Sequence, residues 1–200
     1  MTRYVAFEGV DGAGKSTIAL QVAESLFAAG HDVVAVREPG GTRTGEAVRE
    51  ILLGTGSHPD IWAEALLFAA ARSQLATEII EPALAADKIV VSDRSVYSSL
   101  AYQGAGRGLG IESVRRVNEA GLQGVWPDTV VLLRVAPARG LEREDEADRI
   151  SIEGLDLQES VAAAYDELAA GEPERFVVVD AELGVDEVVR LSVAALQERW

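Results

Sequence analysis

Residues 9 to 16 read Gly9-Val10-Asp11-Gly12-Ala13-Gly14-Lys15-Ser16 and fit G-x-x-x-x-G-K-[ST], the phosphate-binding P-loop, at every fixed position. The preceding Tyr4-Val5-Ala6-Phe7 predicts a short buried strand, and Ser16 to Ala29 predicts a helix. Strand, glycine-rich turn and helix form the context in which this pattern has physical meaning. Gly9, Gly12 and Gly14 can adopt backbone angles closed to other residues, and they carry no side chain to hold an anion away. The N–H groups of the turn then converge on one phosphate, and the positive end of the helix dipole adds to them. The loop therefore predicts a nucleoside triphosphate held by Gly9, Val10, Asp11, Gly12, Ala13, Gly14, Lys15, Ser16 and Thr17. Lys15 is expected at the β- and γ-phosphates and the Ser16 hydroxyl on Mg²⁺. The bland alternative is an ordinary glycine turn before a helix.

Around this motif, 200 residues that are 48% hydrophobic suit one α/β domain spanning 1–200 and exclude a disordered chain. Apolar runs alternate with longer helical patterns, the signature of βαβ units and a parallel sheet. Strands are expected near 3–8, 32–37, 88–92, 128–135 and 175–180. Helices are expected near 15–29, 43–53, 59–86, 94–103, 111–122, 137–145, 155–170 and 184–198. The chain has no cysteine, so neither a disulfide nor a thiolate metal site is expected. It runs straight into a strand without a basic and apolar leader and has no membrane-length apolar run, which points to the cytoplasm. A net charge of −15 argues against a polymeric nucleic acid as partner. A local group of arginines can still reverse the field inside one cleft and take a small phosphorylated substrate.

Ligands of such sheets bind beyond the carboxyl ends of the strands, so the residues just after each strand matter most. Arg37 ends the second strand and is either a surface ion-pair partner or a phosphate ligand. Glu64, Phe68 and Arg72 recur every four residues on one face of the long helix. Phe68 is either core or the stacking ring of a base pocket, with Arg72 bonding the base edge. Asp93-Arg94 after the third strand is either a helix cap or a pair in which Asp93 holds Mg²⁺ and Arg94 takes a phosphate oxygen. Ser95, Ser99 and Tyr102 fall near one helical face, where hydroxyls could read a sugar or base. Arg139, Arg143 and Arg149 are interleaved with carboxylates over about 139–153, as a solvated loop or as a lid that supplies an arginine to the transition state. The turn Asp180-Ala181-Glu182-Leu183-Gly184 is placed at the P-loop rim, where an adenine could rest.

Four elements in order resemble the thymidylate kinase family of P-loop nucleoside monophosphate kinases. They are Phe7 to Thr17; Arg37-Glu38-Pro39-Gly40-Gly41-Thr42; Leu67-Phe68-Ala69-Ala70-Ala71-Arg72; and Asp93-Arg94 with Ser98 and Ala101-Tyr102-Gln103-Gly104. The resemblance implies ATP- and Mg²⁺-dependent phosphorylation of dTMP to dTDP, a step of dTTP biosynthesis, by a homodimer. It implies a P-loop kinase fold, with a five-stranded parallel sheet of order 2-3-1-4-5 flanked by helices and a short lid. It gives Phe68 the stacking role on thymine, Arg72 a bond to the base carbonyl, and Arg37 and Arg94 the acceptor phosphate. Asp11 falls near the sugar 3′-hydroxyl and the acceptor phosphate, Ser99 near the base, and Tyr102 against the 2′ position. Lys15, Asp11 and Arg94 are the expected catalytic residues, with Arg149 or Arg143 from the lid, because Gly12 stands where one family variant carries an arginine. The alternatives are a related P-loop kinase for another nucleotide, or a nucleotide-binding module whose acidic lid makes transfer weak.

Overall fold

A computed structural model of the chain describes residues 3–54, 56, 58–143 and 154–199. Five strands form one sheet: β1 (Tyr4–Glu8), β2 (Val33–Arg37), β3 (Ile89–Asp93), β4 (Thr129–Arg134) and β5 (Phe176–Asp180). They are all parallel and lie in the order β2-β3-β1-β4-β5, as the resemblance implies. β1 is central and wholly buried, because its two neighbours and the helices on both faces leave it no solvent. Side-chain alternation sends Val5, Phe7 and Val91 into the larger core. Tyr4 and Val90 point the other way, toward Leu75, Ile80 and Ala83.

The helices are α1 (Lys15–Ala28), α2 (Arg43–Leu53), α3 (Ile61–Leu75), α4 (Glu81–Ala85), α5 (Val96–Ser99), α6 (Ile111–Leu122), α7 (Pro137–Arg143), α8 (Leu155–Gly171) and α9 (Val185–Gln197). Local chemistry sets several starts. The Thr42 hydroxyl caps α2 by accepting the Gly45 N–H at 2.9 Å, and the Asp60 carboxylate caps α3 by accepting from Trp62 at 3.0 Å. α1 has no such cap. Its N-cap is Gly14, at φ 84° with no side-chain bond to the first turn, which leaves the N–H groups there facing the glycine loop.

Two expected helices are less regular than their periodicity. The long one is α3 and α4 joined by a π-helical stretch, Ala76–Ile80, and α5 continues as a π-helical stretch, Leu100–Gly106. The second changes which side chains share a face, with consequences for the cleft. Of the expected lid, residues 139–143 belong to α7, whereas 144–153, with Arg149, lie outside the described residues.

Candidate active site

A cleft of about 460 Å³ opens at the carboxyl ends of β1, β2 and β3. Asp11, Gly12, Gly14, Lys15, Ser16 and Thr17 of the P-loop, with Asp93, Arg94, Arg37, Phe68, Arg72, Tyr102 and Arg143, reach its wall, whereas Gly9 and Val10 line a second cavity. Side chains expected to meet one ligand from distant stretches are thus brought together by the crossover connections.

On the floor, Lys15 is 6% exposed and donates from Nζ to the Val10 carbonyl at 2.7 Å. Burial, together with the neighbouring Arg94 cation, lowers its pKa to about 8, against the pull of Asp11 and Asp93. It stays mostly charged near neutrality. Ser16 Oγ donates to Asp93 Oδ2 at 2.5 Å, while the buried Oδ1 of Asp93 has no hydrogen-bond partner. A hydroxyl beside a carboxylate with a spare oxygen suits a hard cation. Among the described residues no group of three or more His, Cys, Asp or Glu could hold a metal. One hydroxyl and one carboxylate are a donor set of the kind that Mg²⁺ takes from a protein when substrate phosphates supply further oxygens.

Asp11 projects from the loop onto Arg94, whose Nη2 donates to Oδ1, and accepts the Tyr102 hydroxyl at 2.8 Å. Burial opposes its charge, but Arg94, Lys15 and the hydrogen bonds outweigh this and lower its pKa to about 2. Arg94 itself has φ 70°, a left-handed backbone that turns its guanidinium to within 5.2 Å of the Tyr102 ring centroid. Arg37 is exposed at the mouth and pairs with Glu46 at 3.1 Å. Arg49, not singled out by the sequence, also reaches the wall and donates to the Pro39 carbonyl at 2.9 Å.

Phe68 and Arg72 lie on the cleft side of α3. Arg72 is fixed from three directions: Nε donates to Glu38 at 2.6 Å, Nη1 to Asn118 at 2.5 Å and Nη2 to the Ser95 carbonyl at 3.1 Å. Its planar guanidinium is therefore oriented before any ligand arrives. Glu38 is buried with Oε1 unpartnered; burial raises its pKa to about 7 even against the pull of Arg72.

Of Ser95, Ser99 and Tyr102, expected near one helical face, only Tyr102 lines the cleft. Ser95 is buried and donates to Glu8 at 2.7 Å. Ser99 is buried, its hydroxyl unpartnered, and it is absent from the cleft wall. Ser98, in the regular turn before the widened stretch, and Tyr102 and Gln103 within it are the residues that reach the cleft. The sequence reading also passed over Glu8 as a functional side chain. It is fully buried and accepts from Ser95, the Ser98 N–H and hydroxyl, and Tyr165 at 2.7 Å. Its place at the end of β1 was the available signal.

Gly12 gains a steric explanation. A Cβ there would stand 1.8 Å from the Gly140 carbonyl oxygen, and one on Gly140 would stand 2.3 Å from that of Asp11. The P-loop and α7 touch backbone to backbone, so no side chain, arginine included, fits at Gly12. The rest of α7 is tied to the turn after β5. Arg143 Nη1 donates to the Ala181 carbonyl at 3.0 Å, and Arg139 pairs with Glu182 at 2.7 Å.

Comparison with known proteins places these features in a family. A sequence model of the family described as Thymidylate kinase matches residues 7–191. A thymidylate kinase of Desulforudis audaxviator is 48% identical over 183 residues, which cover 90% of this chain and 83% of that protein. One from Finegoldia magna is 42% identical over 200 residues, covering 98% of each chain. One from Staphylococcus haemolyticus is 40% identical over 193 residues, covering 94% of each.

Proposed function

The chain belongs to the thymidylate kinase family, and from that premise we propose that its cleft aligns dTMP with the γ-phosphate of ATP for direct transfer to give dTDP. The carrying observation is convergence. A triphosphate loop, an arginine–aspartate pair and an aromatic–arginine pair on α3 share one wall. The related names do not favour another nucleotide or a non-transferring module.

The division of labour follows from position. P-loop N–H groups and Lys15 hold the triphosphate at the open start of α1. Ser16 and Asp93 would hold Mg²⁺, which when bound offsets the phosphate charge. Phe68 stacks on thymine and Arg72 bonds its carbonyl, while Gln103 and Ser98, rather than Ser99, complete the polar side of that pocket. Tyr102 crowds the sugar's 2′ position. Arg37 and Arg94 bind the acceptor phosphate, and Asp11 meets that phosphate and the 3′-hydroxyl. An oxygen of the dTMP phosphate attacks the γ-phosphorus; the bond to the β-bridging oxygen breaks and ADP leaves with that electron pair. Catalysis is alignment and charge neutralisation, and Arg143 and Arg149 are the arginines assigned to the transition state.

We assign the enzyme to the cytoplasm, where its nucleotide substrates are found, and to a homodimer. Among the described residues no helix is long and apolar enough to cross a membrane. The dimer assignment draws on Ile51 of α2 and Ile61, Trp62 and Leu66 of α3, which are exposed. A steady-state assay with ATP, Mg²⁺ and each nucleoside monophosphate in turn tests the function. Turnover with dTMP at the highest kcat/KM is expected; a clear preference for another monophosphate would overturn the assignment.

A further inference from the structure

Asp11 is gripped by a side chain that no sequence motif marks. Gln158, on α8, is fully buried and lies 147 residues away along the chain. Its Nε2 donates to Asp11 Oδ2 at 2.7 Å, and its Oε1 accepts the Asp11 backbone N–H at 3.1 Å. One amide thus meets a donor and an acceptor of the same residue and closes a ring of hydrogen bonds. The amide can face only this way, since the reverse would set N–H against N–H. The other carboxylate oxygen, Oδ1, takes Tyr102 and Arg94, with Lys15 Nζ 4.0 Å away. Tyr102 sits on the π-helical stretch against which α8 packs, and its hydroxyl also lies 3.4 Å from Gln158 Oε1.

We propose that Gln158 is a positioning residue that sets the orientation of the Asp11 carboxylate and ties the P-loop to α8. Its effect on catalysis rests on the reading that Asp11 meets the acceptor. The chemistry is demanding. Leucine would leave a buried N–H and one carboxylate oxygen unpaired. Glutamate would accept the N–H but set a second carboxylate against Oδ2. Such a pair shares a proton, and one member titrates well above the usual carboxylate range, with Arg94 and Lys15 opposing the rise and Tyr102 still donating.

The test uses the full chain as Gln158→Leu and Gln158→Glu. In Gln158→Leu we expect the Asp11 amide to exchange with solvent at least about tenfold faster in the ligand-free protein, read by NMR. We expect kcat with dTMP to fall roughly 10- to 100-fold, the size of a lost hydrogen bond to a charged group, with little change in the KM for ATP. In Gln158→Glu we expect a carboxyl titration, read by ¹³C NMR, and a matching acid limb in kcat, both absent from the wild type. Unchanged Asp11 exchange in Gln158→Leu, or no raised carboxyl titration in Gln158→Glu, would overturn the positioning role. If both NMR signatures appear and kcat is unmoved, the positioning stands and the role of Asp11 toward the acceptor is refuted.

Discussion

At the residue scale the most consequential pair is Arg72 and Glu38. The arginine is 2% exposed, and its partner carboxylate has one oxygen with no hydrogen bond. Removing the cation strands a buried anion, which typically costs about 3–5 kcal/mol. Arg72→Ala is therefore expected to lower unfolding stability in urea by that order and to weaken dTMP binding in calorimetry. Adding Glu38→Gln is expected to restore much of the stability but not the binding. An unchanged dTMP dissociation constant in Arg72→Ala would refute its role on the base. The same carboxylate sets a pH dependence. Its pKa rises from 4.5 to about 7 on folding, so between these values the folded state holds more protons than the unfolded one. Stability from this group is thus lost as pH climbs through that window. The melting temperature of Glu38→Gln minus that of wild type is expected to move upward from pH 5 to pH 8, whatever its sign at pH 5. A downward movement of this difference as pH rises would contradict this.

At the element scale, the closeness of the P-loop to α7 is decided by two glycines facing each other. Neither is replaceable by compression of a flexible side chain, because each would meet a backbone oxygen. Gly140→Ala must push α7 off the loop, and a backbone shift of this kind costs about 1–3 kcal/mol. We expect a lower melting temperature and a raised KM for ATP. Gly171→Ala, with nothing within 4 Å of its added carbon, is the control expected to stay within about 0.5 kcal/mol of wild type. Equal behaviour of the two variants would show that the contact carries no strain. The element scale is also where periodicity misled. The widened turns at Leu100–Gly106 put Gln103, five residues after Ser98, on the same cleft wall, a pairing that a spacing of 3.6 residues does not anticipate.

For the whole molecule, the exposed apolar residues of α2 and α3 support a two-chain assembly. Sedimentation is expected to give twice the 21.2 kDa chain mass for wild type and the single mass for Trp62→Glu. Monomeric wild type would dispose of the dimer. Within one chain, the sheet was legible in the sequence, because β2 to β5 are runs rich in β-branched residues between helical patterns, as parallel strands covered by helices are, and β1 is marked by the P-loop that follows it. The P-loop was legible too, since its chemistry is carried by adjacent backbone groups and needs only local glycines. Asp93 and Arg94 declared themselves by ending a strand. What only the tertiary structure decided are the partnerships between distant stretches: Gln158 on Asp11, Glu38 and Asn118 on Arg72, and Gly140 against Gly12. These depend on how α6, α7 and α8 pack over the sheet, and a single buried amide or glycine in a helix has no spacing or composition of its own to announce its partner. Sequence determined which groups the chain brings to a nucleotide, and packing determined which of them are held still.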